Sequence, residues 1–280
     1  MTGSEAAAFK ISPRDFQHLS TLVKERFGLV LDTKEQMVTT RLSKKLRELR
    51  YSSFRDYYRH VTSDASGAAL KDMVDALTTN FTSFFREPDH FDLLRDKIIA
   101  EHSQHDPLRL WSAACSTGEE PYSIAITLLE ALGNHPGRSI EVVASDISGR
   151  ALRRAAEGLY QADQVATVSK VLARKYFLKG EGKWSGWYRV KPAVRELIEF
   201  RRINLIDPLP AQPPFSVIFC RNVMIYFDQP GQESVVNRLE PYLEPDGYLF
   251  IGHAEGLAGV EHSLRYIQPA VYKRGNGRGK

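Results

Sequence analysis

Apolar residues in the first third of the chain recur at helical spacing. Phe16, Leu19, Leu22, Val23 and Phe27 share one face. Ahead of them, Ser12-Pro13-Arg14-Asp15 supplies a hydroxyl cap, a proline for the first helical position and an acid in the first turn, and Gly28 closes the run. A second helix is predicted over residues 33–50, with Val38, Leu42, Leu46 and Leu49 on one stripe and Arg41, Lys44 and Lys45 on the other side. A shorter helix around 54–61 follows, then a fourth with Leu70, Met73, Val74 and Leu77 on a face. No strand-like alternation appears before residue 107, so residues 1–78 read as a small all-α domain.

The pattern changes after Asn80. Phe91, Leu94 and Ile98 mark another helix introduced by Pro88-Asp89, and residues 108–113 read as a strand entering a turn at Ser116-Thr117-Gly118. A helix over 119–132, a strand over 140–144, a turn at Ser145-Asp146 and a helix over 148–158 come next. Later strands at 215–220 and 247–252 are separated by a helix over 231–243. Strand alternating with helix predicts an α/β fold, a doubly wound parallel sheet over residues 79–280. Residues 264–267 and 271–273 suggest a closing antiparallel pair, and 274–280 a loose tail. One stretch, 161–200, breaks the alternation. It holds a helix over 168–177, a glycine-studded turn from Gly180 to Gly186, and candidate strands at 187–190 and 197–203. These read as a small antiparallel insertion.

Composition narrows the class. With 42% hydrophobic and 26% charged residues, the 280-residue chain is neither disordered nor fibrous, and its length suits about two domains. Its apolar runs fall well short of the roughly 20 residues of a membrane span. The first ten residues lack a secretory pattern, so a soluble cytoplasmic protein is expected. Cys115 and Cys220 are too few for a disulfide framework or a four-cysteine zinc site. They read as small buried residues at the ends of neighbouring strands. The eight histidines show no ligand spacing; His102 and His105 resemble a pair only because histidine is locally frequent, and no metal is expected. Net charge is +4, below what a dedicated nucleic-acid binder usually carries. The positive residues crowd between Lys34 and Arg59.

In a doubly wound sheet, ligands bind at the carboxyl ends of the strands. The first strand ends in small residues, Ala114-Cys115-Ser116-Thr117-Gly118, without a Gly-x-Gly-x-x-Gly cradle. Glu119 and Glu120 open the following helix, where carboxylates repel a phosphate and suit a cation. Asp146 ends the second strand, placed to accept hydrogen bonds from a ribose diol. A cationic nucleoside without phosphates means S-adenosylmethionine. The same residues also read as ordinary helix-start acids and a turn former, and both readings stand on these positions alone.

Three longer blocks carry a resemblance. Residues Thr79-Asn80-Phe81-Thr82-Ser83-Phe84-Phe85-Arg86-Glu87, then 111–123 (WSAACSTGEEPYS) and 219–227 (FCRNVMIYF), resemble the signature blocks of the bacterial chemotaxis-receptor methyltransferases, the CheR family. The resemblance covers nearly the whole chain. It implies a class I Rossmann-like methyltransferase domain with a small β-insertion, preceded by a helical receptor-docking domain. The implied activity is transfer of a methyl group from S-adenosylmethionine to glutamates of the chemoreceptor cytoplasmic coiled coil, leaving S-adenosylhomocysteine.

By the same resemblance, Asn80, Thr82 and Arg86 line the cofactor cleft from the linker side. Glu120 binds the methionine amino group and Asp146 the ribose; Asn204 and Leu205 flank the adenine; Arg221 and Asn222 close the site. Arg86 and Tyr226 stand nearest the reacting methyl. Glu119, one helical step of about 100° from Glu120, is the weaker ligand candidate. Read without the family, Arg86 is a surface ion-pair partner of Glu87 or Asp89, and Tyr226 a core residue beside Phe227. A glutamate nucleophile, with a reference pKa of about 4.3, is already ionised at neutral pH, so no His, Lys or Cys is expected to act in proton transfer.

Two surfaces extend the reading. Arg41, Lys44, Lys45, Arg47 and Arg50 are a solvated helix face, a nucleic-acid patch lacking stacking aromatics, or, as the family implies, a docking face for the acidic receptor bundle. The turn Gly180-x-Gly182-x-x-x-Gly186 resembles that of family members tethered to a receptor C-terminal pentapeptide. Trp184, Trp187 and Tyr188 are then candidates to receive its aromatics by strand addition; the alternative is an ordinary hairpin. Beyond these, a monomer is the default. Two further function classes are a base methyltransferase, which lacks the Asn/Asp-Pro-Pro-Tyr/Phe turn after the fourth strand, and a non-enzymatic signalling scaffold.

Overall fold

The computed structural model describes residues 9–102, 107–133 and 139–275. The residues before Phe9, His105 and the tail beyond Gly275 lie outside the described residues, with the expectations placed on them. Two compact units emerge: residues up to Thr79 together with Tyr226–Asp228, and Asn80–Ile225 with the remainder from Gln229.

The first unit holds four helices, α1 (Pro13–Phe27), α2 (Glu35–Leu49), α3 (Phe54–Ser63) and α4 (Ala68–Leu77). Ser12 caps α1 by accepting from the Asp15 N–H, and Gly28 ends it with φ 71°. Ser53 caps α3 in the same way through Asp56. The α1 helix packs on α3, and α4 on both α2 and α3, around Leu19, Val23, Val38, Leu42, Leu46, Tyr57 and Met73, all buried. One expected core residue is misplaced: Leu49 is 47% exposed, because α2 stops there and Arg50 turns left-handed with φ 60°. Within this unit the Tyr226 carbonyl accepts from the Val30 N–H at 2.8 Å, Lys34 lies 5.1 Å from the Tyr226 ring centroid, and Lys24 pairs with Asp228 at 2.8 Å.

The second unit opens with α5 (Pro88–Leu93), which runs on through a wider π-helical turn, Leu94–Ile99. Then come β1 (Leu108–Ser112), α6 (Glu119–Leu132), β2 (Ile140–Asp146), α7 (Gly149–Glu157) and β3 (Leu159–Gln161). Next are α8 (Ala162–Val165), α9 (Lys170–Tyr176), β4 (Phe177–Lys179), β5 (Trp187–Val190), α10 (Pro192–Arg195) and β6 (Ile198–Arg202). The unit ends with β7 (Phe215–Phe219), α11 (Gln229–Leu239), β8 (Leu243–Phe250), β9 (Arg265–Gln268) and β10 (Val271–Lys273).

Seven strands form one sheet in the order β6-β2-β1-β7-β8-β10-β9. The first five are parallel, and β10 runs antiparallel to both β8 and β9. The β1 and β7 strands are buried at every position, as expected of central parallel strands covered on both faces. The chain winds outward from β1 through β2 to β6, then returns to β7 on the other flank. The switch point therefore lies between β1 and β7, where such sheets open a crevice.

The insertion differs from its expected extent. Residues 198–202 form no antiparallel hairpin; β6 pairs in parallel with β2, in register from Val142 opposite Ile198 to Asp146 opposite Arg202. The small sheet is β3-β5-β4, antiparallel throughout, and ends at Val190. A strand next to a proline carries no mark of which sheet it joins, which is why the sequence pattern misassigned it.

Candidate active site

The parallel strands β1, β2, β6, β7 and β8 end on one edge of the large sheet, and each leaves functional groups there. After β1 the backbone passes through Ser116 with φ 50° and Gly118 with φ 100° before α6 begins. A Cβ at Gly118 would lie 2.8 Å from both the Ala155 Cβ and the Tyr160 hydroxyl, so only glycine fits this tight entry. That turn places Glu119 and Glu120 in the first turn of α6, both buried.

Glu120 takes a hydrogen bond from the Ser112 hydroxyl at 2.7 Å on one oxygen and from Arg221 Nη1 at 2.9 Å on the other. Arg221, immediately after β7 and its flanking Cys220, is 4% exposed. Its Nη2 donates to Glu87 at 2.8 Å and to the Arg86 carbonyl. One guanidinium thus lies between two carboxylates, leaving one uncompensated negative charge at the switch point. Burial pushes the Glu87 carboxyl up, but the hydrogen bond and charge of Arg221 with the Asn222 amide outweigh it and hold the group below its ordinary value.

Asp146, at the end of β2, accepts from the Ser116 N–H and the Ser148 N–H, each at 2.8 Å. The Ser116 hydroxyl donates to the Asn80 carbonyl at 3.1 Å, which brings the start of the 80–87 segment beside Asp146. The Ile203 N–H donates to the Asp146 carbonyl, so Asn204 and Leu205 leave the sheet next to it. Ser123 of α6 accepts from the Phe85 N–H at 2.9 Å and pins the middle of the segment.

The donor set suits a cationic nucleoside: net negative charge at one end, the Asp146 carboxylate at the other, and a turn of small residues between. Over residues 80–272 the chain matches the CheR methyltransferase SAM binding domain, and over residues 14–78 the CheR methyltransferase all-alpha domain. The chain belongs to the CheR methyltransferase family. It is 42% identical over 266 residues to chemotaxis protein methyltransferase 2 of Pseudomonas aeruginosa, covering 94% of each chain. With the chemotaxis protein methyltransferase of Salmonella typhimurium it shares 43% identity, over 91% of this chain and 88% of that one. The Escherichia coli protein of that name is 40% identical, over 94% and 91%. The chain is an S-adenosylmethionine-dependent methyltransferase, and its family methylates glutamates of chemoreceptors.

The carboxyl edge of the sheet gathers most of the residues read from the sequence, with qualifications. Asn80, Glu120, Asp146, Asn204, Leu205, Arg221 and Asn222 meet on the carboxyl edge of the sheet. Thr82 is half-buried. Arg86 does not pair with Glu87 or Asp89; it donates to the Phe81 carbonyl at 3.3 Å and lies 5.8 Å from the Phe81 ring centroid. Tyr226 falls within the helical unit. Glu119 is 1% exposed, with its oxygens taken by Thr117 at 2.7 Å and Gln164 at 3.2 Å, and burial raises its carboxyl. Cys115 and Cys220 are fully buried, and burial drives both thiols well above their ordinary value, so neither is a thiolate at neutral pH.

Two residues escaped the sequence reading. Glu255, in the loop after β8, accepts from the Asn222, Gly252 and Ile225 N–H groups. His90 in α5 is fully buried, and neither ring nitrogen finds a hydrogen-bond partner. With Glu87 and His253 it brings three potential ligand atoms within 4.8 Å, a grouping that spacing along the chain does not reveal. Arg221 already holds Glu87, and Asp89 lies 2.9 Å from the His253 Nε2, so a dication would sit beside a guanidinium. No metal is assigned there.

Burial, and then the charge of Arg221, lowers the His90 pKa from 6.5 to about 4. Between those values the unfolded chain binds the proton and the folded chain does not. Stability is therefore full above pH 6.5 and drains as pH falls towards 4. His90→Gln should lose less thermal stability than wild type across that window, by on the order of 2–3 kcal/mol. Parallel calorimetric scans of the two proteins would expose a mistaken assignment of the group.

Proposed function

We propose that methyl transfer takes place on the carboxyl edge of the large sheet, with Glu120 receiving the amino group of S-adenosylmethionine. The observation that carries this is the pair of carboxylates on the single buried Arg221, which favours an added cation. Arg221 acts here by holding Glu120 and Glu87. Asp146, its carboxylate oriented by the Ser116 and Ser148 N–H groups at the end of β2, receives the ribose hydroxyls. Asn80, Thr82 and Arg86 bound the cleft on the linker side, Asn204 and Leu205 flank the adenine, and Asn222 closes the pocket.

S-adenosylmethionine, when bound, supplies a methyl group on a positively charged sulfur. The receptor glutamate arrives ionised, so no residue need remove a proton. The protein's task is alignment for in-line attack and removal of water from the two charged groups. Arg86 is suited to grip the incoming carboxylate through parallel N–H bonds, and Tyr226 to fix an oxygen or the sulfonium end. The new C–O bond forms as the C–S bond breaks, leaving a glutamate methyl ester.

Chemoreceptors are the substrates that the chemotaxis relatives imply. For docking we favour Lys44, Arg47 and Arg50, which are exposed and form no ion pair among the described residues. Arg41 is tied to the Leu77 carbonyl and the Thr79 hydroxyl, and Lys45 lies 3.8 Å from both Glu48 and Asp72, so these two contribute less. A receptor C-terminal peptide would add to the outer edge of β4, since β5, carrying Trp187 and Tyr188, is the central strand. The turn of Gly180, Gly182 and Gly186 supports this by exposing Trp184 (50%) next to that edge. No helix among the described residues is long and apolar enough to cross a membrane.

Titration with S-adenosylhomocysteine tests the pocket: Glu120→Ala should weaken binding by about 1.5–3 kcal/mol, the worth of a charged hydrogen bond. Unchanged affinity would place the amino group elsewhere. Labelled receptor treated with base should release methanol, as a carboxyl ester does; a base-stable label would point to N-methylation, and no label to a scaffold. A peptide ending in an aromatic-acidic-aromatic pattern should give heat on mixing even without cofactor, and silence in the calorimeter would remove the tether.

A further inference from the structure

The loop after β8 supplies no side chain named so far as a cofactor ligand, yet it fixes the turn that carries one. Glu255 aims its carboxylate at the backbone of that turn. One oxygen accepts from the Asn222 N–H at 2.8 Å and the Gly252 N–H at 2.6 Å, and the other from the Ile225 N–H at 3.3 Å. The Met224 N–H adds to the same carboxylate. Asn222 needs such support, because its φ of 56° lies in the left-handed region, which costs a non-glycine residue energy. Its side-chain amide is held from the other side by Glu87 at 3.3 Å. Gly252 leaves room for the arrangement: a Cβ there would fall 2.3 Å from the Asn222 amide nitrogen and 2.9 Å from the Glu255 carboxylate.

We infer that Glu255 is a positioning residue for methyl transfer, a carboxylate clamp that sets the backbone from Asn222 to Ile225 at the mouth of the cofactor site. The inference rests on the pocket assignment proposed above. The clamp works through both oxygens as acceptors, so charge and shape together matter. A glutamine of the same size offers one acceptor and one NH2 group, and the NH2 would face backbone donors.

The test compares Glu255→Gln, Glu255→Asp and Glu120→Ala by S-adenosylhomocysteine titration, steady-state kinetics and hydrogen exchange of the peptide spanning residues 221–227. Glu255→Gln should speed exchange of that peptide and lower kcat/KM for the cofactor by tenfold to about 100-fold, the scale of an ångström misplacement. KM for the receptor should not move. Glu255→Asp, which keeps two acceptors on a shorter arm, should recover part of the loss. A side chain that only fills space would tolerate the isosteric Gln, so wild-type kinetics and exchange in that variant overturn the clamp. If Glu255→Gln does not fold, Glu255→Asp decides by the same two readouts, and wild-type values in it count against the clamp. Unchanged cofactor affinity in Glu120→Ala, by contrast, overturns the pocket assignment and leaves the exchange result standing.

Discussion

The buried Arg221 guanidinium, shared between Glu120 and Glu87, is the interaction on which the candidate site depends. Each of its three members comes from a different part of the unit: the start of α6, the end of β7 and the residue before α5. A buried ion group of this kind is poor evidence for net stability, since desolvation offsets most of the attraction. Removing one partner is another matter, because it strands a charge in a dry setting, at a cost of about 3–5 kcal/mol. The triad thus enforces one arrangement of the three segments. It also fixes the electrostatic character of the crevice before any ligand arrives.

That character explains why this Rossmann-like sheet does not act as a phosphate site. Helix N-termini attract anions, and a glycine turn ahead of one is the usual phosphate cradle. Here Gly118 provides the tight turn, but Glu119 and Glu120 occupy the first turn of α6 and satisfy the dipole from within the chain. The same geometry that would hold a pyrophosphate is turned towards a cation by two side chains. Glu119 is spent on that internal role, bound to Thr117 and Gln164, whereas Glu120 faces the switch point.

Much of this was legible in the sequence because it rests on local signals. The caps at Ser12 and Gly28, the short strands β1 and β7 rich in large apolar residues, and the acids at the start of α6 each follow from a few neighbouring residues. What escaped depends on pairing across long separations. Nothing in residues 198–202 shows that they join β2 rather than β5. Leu49 looks like a core residue, but α2 ends at it and Arg50 turns left-handed. Arg41, read as a docking cation, is bound to the Leu77 carbonyl 36 residues away. Glu255 and His90 carry no periodicity or motif at all; only the folded chain shows the first meeting a cluster of backbone donors and the second meeting none.

A reaction whose nucleophile is already charged places unusual weight on such backbone and ion-pair restraints. Without a proton to move, the barrier is set by how well two oppositely charged partners are stripped of water and held in line. Flexible side chains serve that purpose badly. The structure answers with short, doubly anchored segments: Asn222 held at its N–H by Glu255 and at its amide by Glu87, Asp146 by two backbone donors, Phe85 by Ser123. Left-handed backbone at Phe85, Glu87, Ser116 and Asn222 recurs around the same edge of the sheet. Strain concentrated there, and offset by hydrogen bonds from the surrounding scaffold, is what a site built for alignment rather than acid–base chemistry requires.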